Sequence, residues 1–207
     1  VDANPLRQDL QREFAPRLAA HGSRTGMDPR LYARVQAVAE KADALPPEDR
    51  RLVENTLRGL RRAGAALEGE ARDRMAAIRE RLAVLTTQFA QNVLKDERDF
   101  VLPVGDQGLV GLPDWLVRAM RAAARERGMQ GQVVTLNRSL IVPFLEYAPD
   151  RALREAAFRG WVARGSGQGA HGADSDNRPL VAEILALRHE RAQLLGYADF
   201  ADFKLEP

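Results

Sequence analysis

The chain contains no cysteine, and this absence excludes several kinds of site. None of its 207 residues is a cysteine, so disulfides, thiolate zinc sites, cysteine nucleophiles and iron–sulfur clusters are excluded. Aromatic residues are scarce at 6%, and no apolar run approaches the roughly 20 residues of a membrane-spanning helix. The opening residues "VDANPLRQDLQ" have neither the basic nor the apolar region of a secretory signal. We therefore expect no membrane partner.

The sequence also lacks a strong charge of one sign. Charged residues make up 29% of the chain but nearly cancel, leaving a net charge of +2. Five arginines raise the question of a nucleic-acid-binding stripe: Arg58, Arg61, Arg62, Arg72 and Arg79. Acidic residues are interleaved with these arginines at helical salt-bridge spacings, and no aromatic residue is available to stack on bases. We therefore expect a solvated helix surface and no nucleic-acid partner.

What the sequence does contain is helical periodicity. Apolar residues recur at intervals of three and four along most of the chain. Asp28 before Pro29 marks one helix start, Pro46 with Pro47 marks another, and Gly64 marks a helix end. The longest helix is predicted to run from about Glu68 to Lys95. These patterns predict a mainly α, multi-helix domain with long antiparallel helices.

The first predicted helix carries a proline. Apolar residues follow one another every four positions, the spacing of one helix face: Leu6, Leu10, Phe14 and Leu18. Pro16 lies within this run and is expected to kink or end the helix.

The middle of the chain carries a β pattern. Phe100–Val104 reads as one short strand, and "GQVVTLNRSLIVPFLEY" reads as two strands around a turn at Asn137 and Arg138. We therefore predict a small β-hairpin element. The expected organisation is helices at 5–97, a β-containing insertion at about 99–146, and helices at 149–204.

A histidine followed by a glutamate, His189 and Glu190, raises the question of a zinc site. The H-E-x-x-H pattern places two imidazoles four residues apart on one helix face, but the position of the second histidine is Gln193. His189 should face away from the apolar stripe around Leu180. Arg191, in contrast, falls near the middle of that stripe and must extend to solvent or find an acidic partner.

A Gly-rich segment, "RGSGQGAHGADSDNRP", offers no better site. It follows no strand and contains no lysine, which argues against a phosphate-binding loop. His171, Asp174 and Asp176 lack the spacing of a calcium loop, so a mobile surface loop is predicted. We predict no catalytic, cofactor-binding or metal-binding residue in this chain from spacing alone.

Two stretches carry a family resemblance. "LAVLTTQFAQNVLKD" (Leu82–Asp96) and "DNRPLVAEILALRHERAQLLGYADFADFKLE" (Asp176–Glu206) resemble the N-terminal helical half of the thimet-oligopeptidase-like zinc metallopeptidases. This group includes oligopeptidase A and the bacterial peptidyl-dipeptidases. The resemblance runs from about Pro5 to the last residue.

The resemblance implies a helical enzyme with a deep channel that admits short, unstructured peptides. It also implies that zinc binds to an H-E-x-x-H motif and a further glutamate downstream, outside this segment. On this interpretation residues 1–207 are an N-terminal portion trimmed at both ends, as Val1 in place of a methionine also suggests. The catalytic zinc domain is then absent, and the segment is expected to be inactive in isolation.

Four loop residues are candidates for the substrate channel. Because loops carry recognition more often than packed helices, we select His171, Asp176, Asn177 and Arg178 as candidates. Expected partners are short peptide substrates and the downstream catalytic domain of the same protein. The expected compartment is the cytoplasm, or the periplasm if a signal peptide preceded residue 1. Endopeptidase and dipeptide-releasing activities both stay open, and the alternative function is a free-standing helical peptide- or protein-binding module without catalysis.

Overall fold

The computed structural model describes residues 4–206. Over that range the chain forms nine α-helices and two short β-strands, and it divides into two compact units. The central unit consists of residues 88–180 together with Asn4 and Pro5, and the terminal unit consists of residues 6–87 and 181–206. Val1, on which the expectation of a missing N-terminus rests, lies outside the described residues.

The described part of the terminal unit is helical. Its elements are α1 (Pro5–Gly26), α2 (Pro29–Ala39), α3 (Pro47–Ala63), the first part of α4 (Gly69–Asp99), most of α8 (Arg178–Leu194) and α9 (Phe200–Leu205). Asp28 caps α2 by accepting hydrogen bonds from the N–H groups of Arg30 and Leu31. Gly64 ends α3 at a φ of 101°, a left-handed conformation that suits glycine. Both predicted boundaries are therefore confirmed. No helix within residues 4–206 is long and apolar enough to cross a membrane.

Helix α1 contradicts one of the two outcomes predicted at Pro16, the end of the helix. It does not end near Pro16 but continues to Gly26, because a proline removes one hydrogen bond of a helix while the neighbouring bonds can persist. Leu10, Phe14 and Leu18 recur at one-turn intervals as predicted, yet they remain 45%, 43% and 67% exposed. This face of α1 is therefore not part of the core.

The end of α3 explains the position of Arg191. The Arg191 guanidinium donates to the carbonyl of Arg62 at 3.4 Å, and that of Arg79 donates to the carbonyl of Ala63 at 3.2 Å. These carbonyls belong to the last turn of α3, where no N–H of the helix reaches them. Burial lowers the pKa of Arg191, and the charges of Arg79 and Arg62 lower it further. Arg191 thus binds a helix terminus, which neither predicted alternative included.

The central unit combines helices with a two-stranded sheet. Its elements are the end of α4, β1 (Leu102–Val104), α5 (Asp114–Glu126), β2 (Gln132–Val134), α6 (Arg138–Tyr147) and α7 (Arg151–Ala163). The strands are antiparallel, with Leu102 opposite Val134 and Val104 opposite Gln132. Leu116, Met120 and Phe144 are completely buried in its core. The predicted mainly α fold with a small β element is confirmed.

The predicted turn at Asn137 and Arg138 is wrong. Residues after it form α6, and β2 pairs instead with β1. The Asn137 side chain accepts a hydrogen bond from the N–H of Ser139 and so caps the helix. Leu140, Ile141 and Phe144 form its buried face. An apolar run of this length fits a strand and a buried helix equally well by periodicity, and the cap decides between them.

Candidate functional site

Glu190 of the His189–Glu190 pair is bound by an arginine. Glu190 pairs with Arg74 through two hydrogen bonds, one of 2.7 Å between Nη2 and Oε2, and these bonds lower the pKa of Glu190. His189 is exposed, as predicted. Among residues 4–206, no group of three histidine, aspartate or glutamate side chains is arranged to hold a metal ion. The described side chains therefore do not fit a zinc site.

A buried carboxylate on α4 organises the Gly-rich segment. Because α8 already begins at Arg178, the name is used from here for residues 164–177, which connect α7 to α8. Asp96 is 1% exposed, and its oxygens accept hydrogen bonds from the N–H of Gly165 at 2.8 Å and of His171 at 3.0 Å. The hydroxyl of Ser175 donates to the same carboxylate at 2.8 Å. Because a buried charge is costly unless hydrogen bonds replace its lost water, these contacts specify the path of the segment.

Two buried amides secure the end of the same segment. Asn92 donates from Nδ2 to Oδ1 of Asn177 at 2.8 Å, and Nδ2 of Asn177 donates to the carbonyl of Phe89 at 3.1 Å. Asn177 is 2% exposed and Ser175 is completely buried. The segment is therefore not the simple surface loop that its composition predicts, since α4 holds it through buried polar groups.

The four candidate channel residues have different environments. Nε2 of His171 lies 2.6 Å from Oδ2 of Asp99, so this ring faces the end of α4. Asn177 is buried and structural, as described above. Asp176 accepts hydrogen bonds from the backbone N–H and the guanidinium of Arg178. Of these four residues, Arg178 alone lines the cavity described next.

A cavity of about 730 Å³ lies between α7 and the first half of the Gly-rich segment. Its lining includes the apolar residues Phe100, Ala156, Gly160 and Ala163 and the polar residues Arg159, Gln168 and Arg178. The Phe100 ring packs on the bare backbone of Gly160, where a Cβ atom would come within 2.2 Å of it. The lining therefore combines apolar residues with two arginines, Arg159 and Arg178.

Each of these two arginines is held by an adjacent acid. Nη2 of Arg178 lies 2.7 Å from Oδ2 of Asp176, and Nη2 of Arg159 lies 2.7 Å from Oε1 of Glu155. The hydrogen bonds between Asp176 and Arg178 lower the pKa of Asp176 and raise the pKa of Arg178. In the part of the chain that the structure describes, no hydrogen bond engages Nη1 of either Arg159 or Arg178. Both arginines are thus oriented while retaining donors for a ligand.

Sequence reasoning missed Asp96 and Arg159. Asp96 continues the apolar stripe of Phe89 and Val93 at helical spacing, and an acid on such a stripe indicates a buried, hydrogen-bonded carboxylate. Arg159 carries no comparable signal, because an exposed arginine four residues after Glu155 is usual on a helix surface.

Comparisons with known proteins show that this chain is similar to peptidases. The model of Peptidase family M3 matches residues 144–207. Oligopeptidase A of Salmonella typhimurium is 30% identical over 204 residues, which is 97% of this chain and 30% of that protein. Oligopeptidase A of Escherichia coli gives the same identity and coverage. Dipeptidyl carboxypeptidase of Escherichia coli is 29% identical over 203 residues, covering 96% of this chain and 29% of that protein.

The resemblance to the oligopeptidase A and peptidyl-dipeptidase group is therefore confirmed over nearly the whole chain. The chain spans about 30% of the length of these relatives.

Proposed function

We propose that this chain is part of a zinc-dependent oligopeptidase or peptidyl-dipeptidase that hydrolyses short peptides. The observation that carries the proposal is the similarity to oligopeptidase A over 97% of the chain. In the complete protein, zinc would be bound outside this segment and would supply Lewis-acid chemistry for peptide-bond hydrolysis. The segment itself supplies no zinc ligand under this proposal and is inactive in isolation. We place the enzyme in the cytoplasm, with the periplasm as the alternative.

The role proposed for this segment is to form one wall of the substrate channel. The region assigned to the peptide is the one around His171, Asp176, Asn177 and Arg178. Its hydrogen bonds to Asp96 and Asn92 of α4 support this role, because a binding surface fixed before the ligand arrives loses less conformational entropy on binding. A channel wall acts by size exclusion and positioning, and it needs no bond-making group.

The proposed partner of this segment is the rest of the same protein. Leu10, Phe14 and Leu18 form an exposed apolar stripe on α1, a surface that soluble proteins usually cover. The relatives are far longer than this chain, which favours the remaining part of the enzyme as the cover. A free-standing helical binding module is the second candidate, and it accounts for the cavity but leaves this stripe without a role.

The experiment that tests the proposal compares substrates of different size. Protein from the complete reading frame should hydrolyse an unstructured peptide of about ten residues, and a zinc chelator should abolish this activity. The same cleavage sequence within a folded protein should remain intact, because the channel excludes it. The 207-residue chain alone should cleave neither substrate. Equal cleavage of the free and the folded sequence would contradict the channel role.

A further inference from the structure

We infer that the cavity between α7 and the Gly-rich segment is a subsite for a carboxylate of a short peptide, bound by Arg159 and Arg178. The inference rests on the proposed function in one respect, since it takes a peptide as the ligand. The carboxylate belongs either to an acidic side chain or to the C-terminus of the peptide.

The dimensions of the cavity suit part of a peptide. Its volume of about 730 Å³ lies within the range of roughly 300–1,000 Å³ that is typical of small-molecule sites. The apolar lining residues Phe100, Ala156 and Ala163 can contact aliphatic carbons, while the arginines supply hydrogen-bond donors. A peptide residue with an apolar stem and a charged end matches this division.

The hydrogen-bond donors of the cavity suit an anion. Arg159 and Arg178 both line it, and none of the described residues that line it is acidic. Their partners Glu155 and Asp176 hold the guanidinium groups through Nε and Nη2. The Nη1 group of each arginine keeps its donors for a ligand, and a guanidinium oriented in this way binds carboxylates well.

A carboxylate fits this site better than a phosphate. Each arginine already shares its charge with one acid, so the net positive charge available to a ligand is small. A doubly charged phosphate would be repelled by Glu155 and Asp176, whereas a singly charged carboxylate meets less repulsion.

The test measures binding of three pentapeptides to the 207-residue chain at low ionic strength by calorimetry. The first is acetyl-Ala-Ala-Glu-Ala-Ala-amide, the second has Gln in place of Glu, and the third is the Gln peptide with a free C-terminal carboxylate. We expect at least one carboxylate peptide to bind about twofold to fivefold more tightly than the neutral Gln amide, as for exposed ion pairs. The tighter of the two identifies the source of the carboxylate. Equal affinity for all three peptides would overturn the inference.

Variants test whether the two arginines cause the preference for carboxylate peptides. Arg159→Gln and Arg178→Gln should each reduce the preference, whereas Arg125→Gln should leave it unchanged, because Arg125 is exposed on α5 and does not line the cavity. Arg178→Lys should retain part of it, because the charge persists. Circular dichroism verifies that each variant is folded. A preference that survives the double Arg159→Gln and Arg178→Gln replacement would overturn the assignment.

A hydrolysis assay distinguishes failure of this inference from failure of the proposed function. The complete protein is assayed with longer peptides that carry Glu or Gln at each position in turn. Hydrolysis without a preference for carboxylates would overturn the subsite and leave the peptidase proposal intact. Carboxylate binding by a complete protein that hydrolyses nothing would support the subsite and overturn the peptidase proposal.

Discussion

At the scale of single residues, Asp96 has the largest predicted effect. Asp96→Asn replaces one carboxylate oxygen with an NH₂ group, which then faces the hydroxyl of Ser175 and the N–H of either Gly165 or His171, because these two N–H groups bind different oxygens. Leaving such donors without an acceptor should lower the free energy of unfolding by about 1–3 kcal/mol. Urea denaturation measures the change.

The control for Asp96 is Asp174→Asn in the same segment. Asp174 is exposed, so its replacement should change stability by less than about 0.5 kcal/mol. Equal stability losses for the two variants would show that Asp96 does not organise the segment.

Asp99 should make stability depend on acid pH. Hydrogen bonds from Arg98, and then from His171, lower the pKa of Asp99 from 3.8 to about 2. Because the folded pKa lies below the unfolded one, ionised Asp99 stabilises the fold above pH 3.8, and this stabilisation disappears as the pH falls towards 2. Asp99→Asn should therefore weaken the fall in stability between those pH values. A carboxyl pKa near 3.8 in an NMR titration would contradict this prediction.

Residue types alone could not have identified the cavity. Arg178 was predicted as a channel residue from its position in a loop, and the structure places it at the cavity. Its partners across the sequence, Arg159 and Phe100, come from other elements, and only the folded chain brings them together. Asn177 belongs to the same loop but points into the structure, because the amide of Asn92 binds it.

At the scale of elements, two helical glycines should respond in opposite ways to the same change. A Cβ on Gly160 of α7 would clash with the Phe100 ring, whereas a Cβ on Gly59 of α3 would meet no atom within 4 Å. Gly160→Ala should therefore destabilise the protein by about 1–3 kcal/mol. Gly59→Ala should stabilise it by about 0.5–1 kcal/mol, because alanine loses less backbone entropy in a helix.

Thermal or urea unfolding of both variants measures this difference. Each glycine serves as the control for the other, since both lie inside helices. A stabilising Gly160→Ala would show that α7 does not pack on Phe100.

Helix boundaries were predictable where a single residue determines them. Asp28 and Gly64 act through local hydrogen bonds and backbone conformation, so the sequence shows them directly. The identity of α6 depended instead on a choice between a cap and a turn at Asn137, and the partner of β2 lies about thirty residues earlier in the sequence. Pairing over such a separation is not encoded in a short window.

At the scale of the whole molecule, the exposed stripe on α1 should make the isolated chain associate. Replacement of Leu10, Phe14 and Leu18 by glutamine should reduce reversible association, because it removes the apolar surface. Sedimentation velocity measures the change. Val110→Gln is the control, since Val110 is an exposed apolar residue of the central unit. A chain that is monodisperse at all concentrations would favour the free-standing module.

The zinc content of the protein expressed from its complete reading frame tests the central claim most directly. Metal analysis of the freshly purified protein, together with its intact mass, gives the number of zinc ions per molecule. The account predicts a protein much larger than 22.9 kDa that contains one zinc ion bound outside the segment described here. A complete protein without zinc would contradict the assignment of this chain to a metallopeptidase channel.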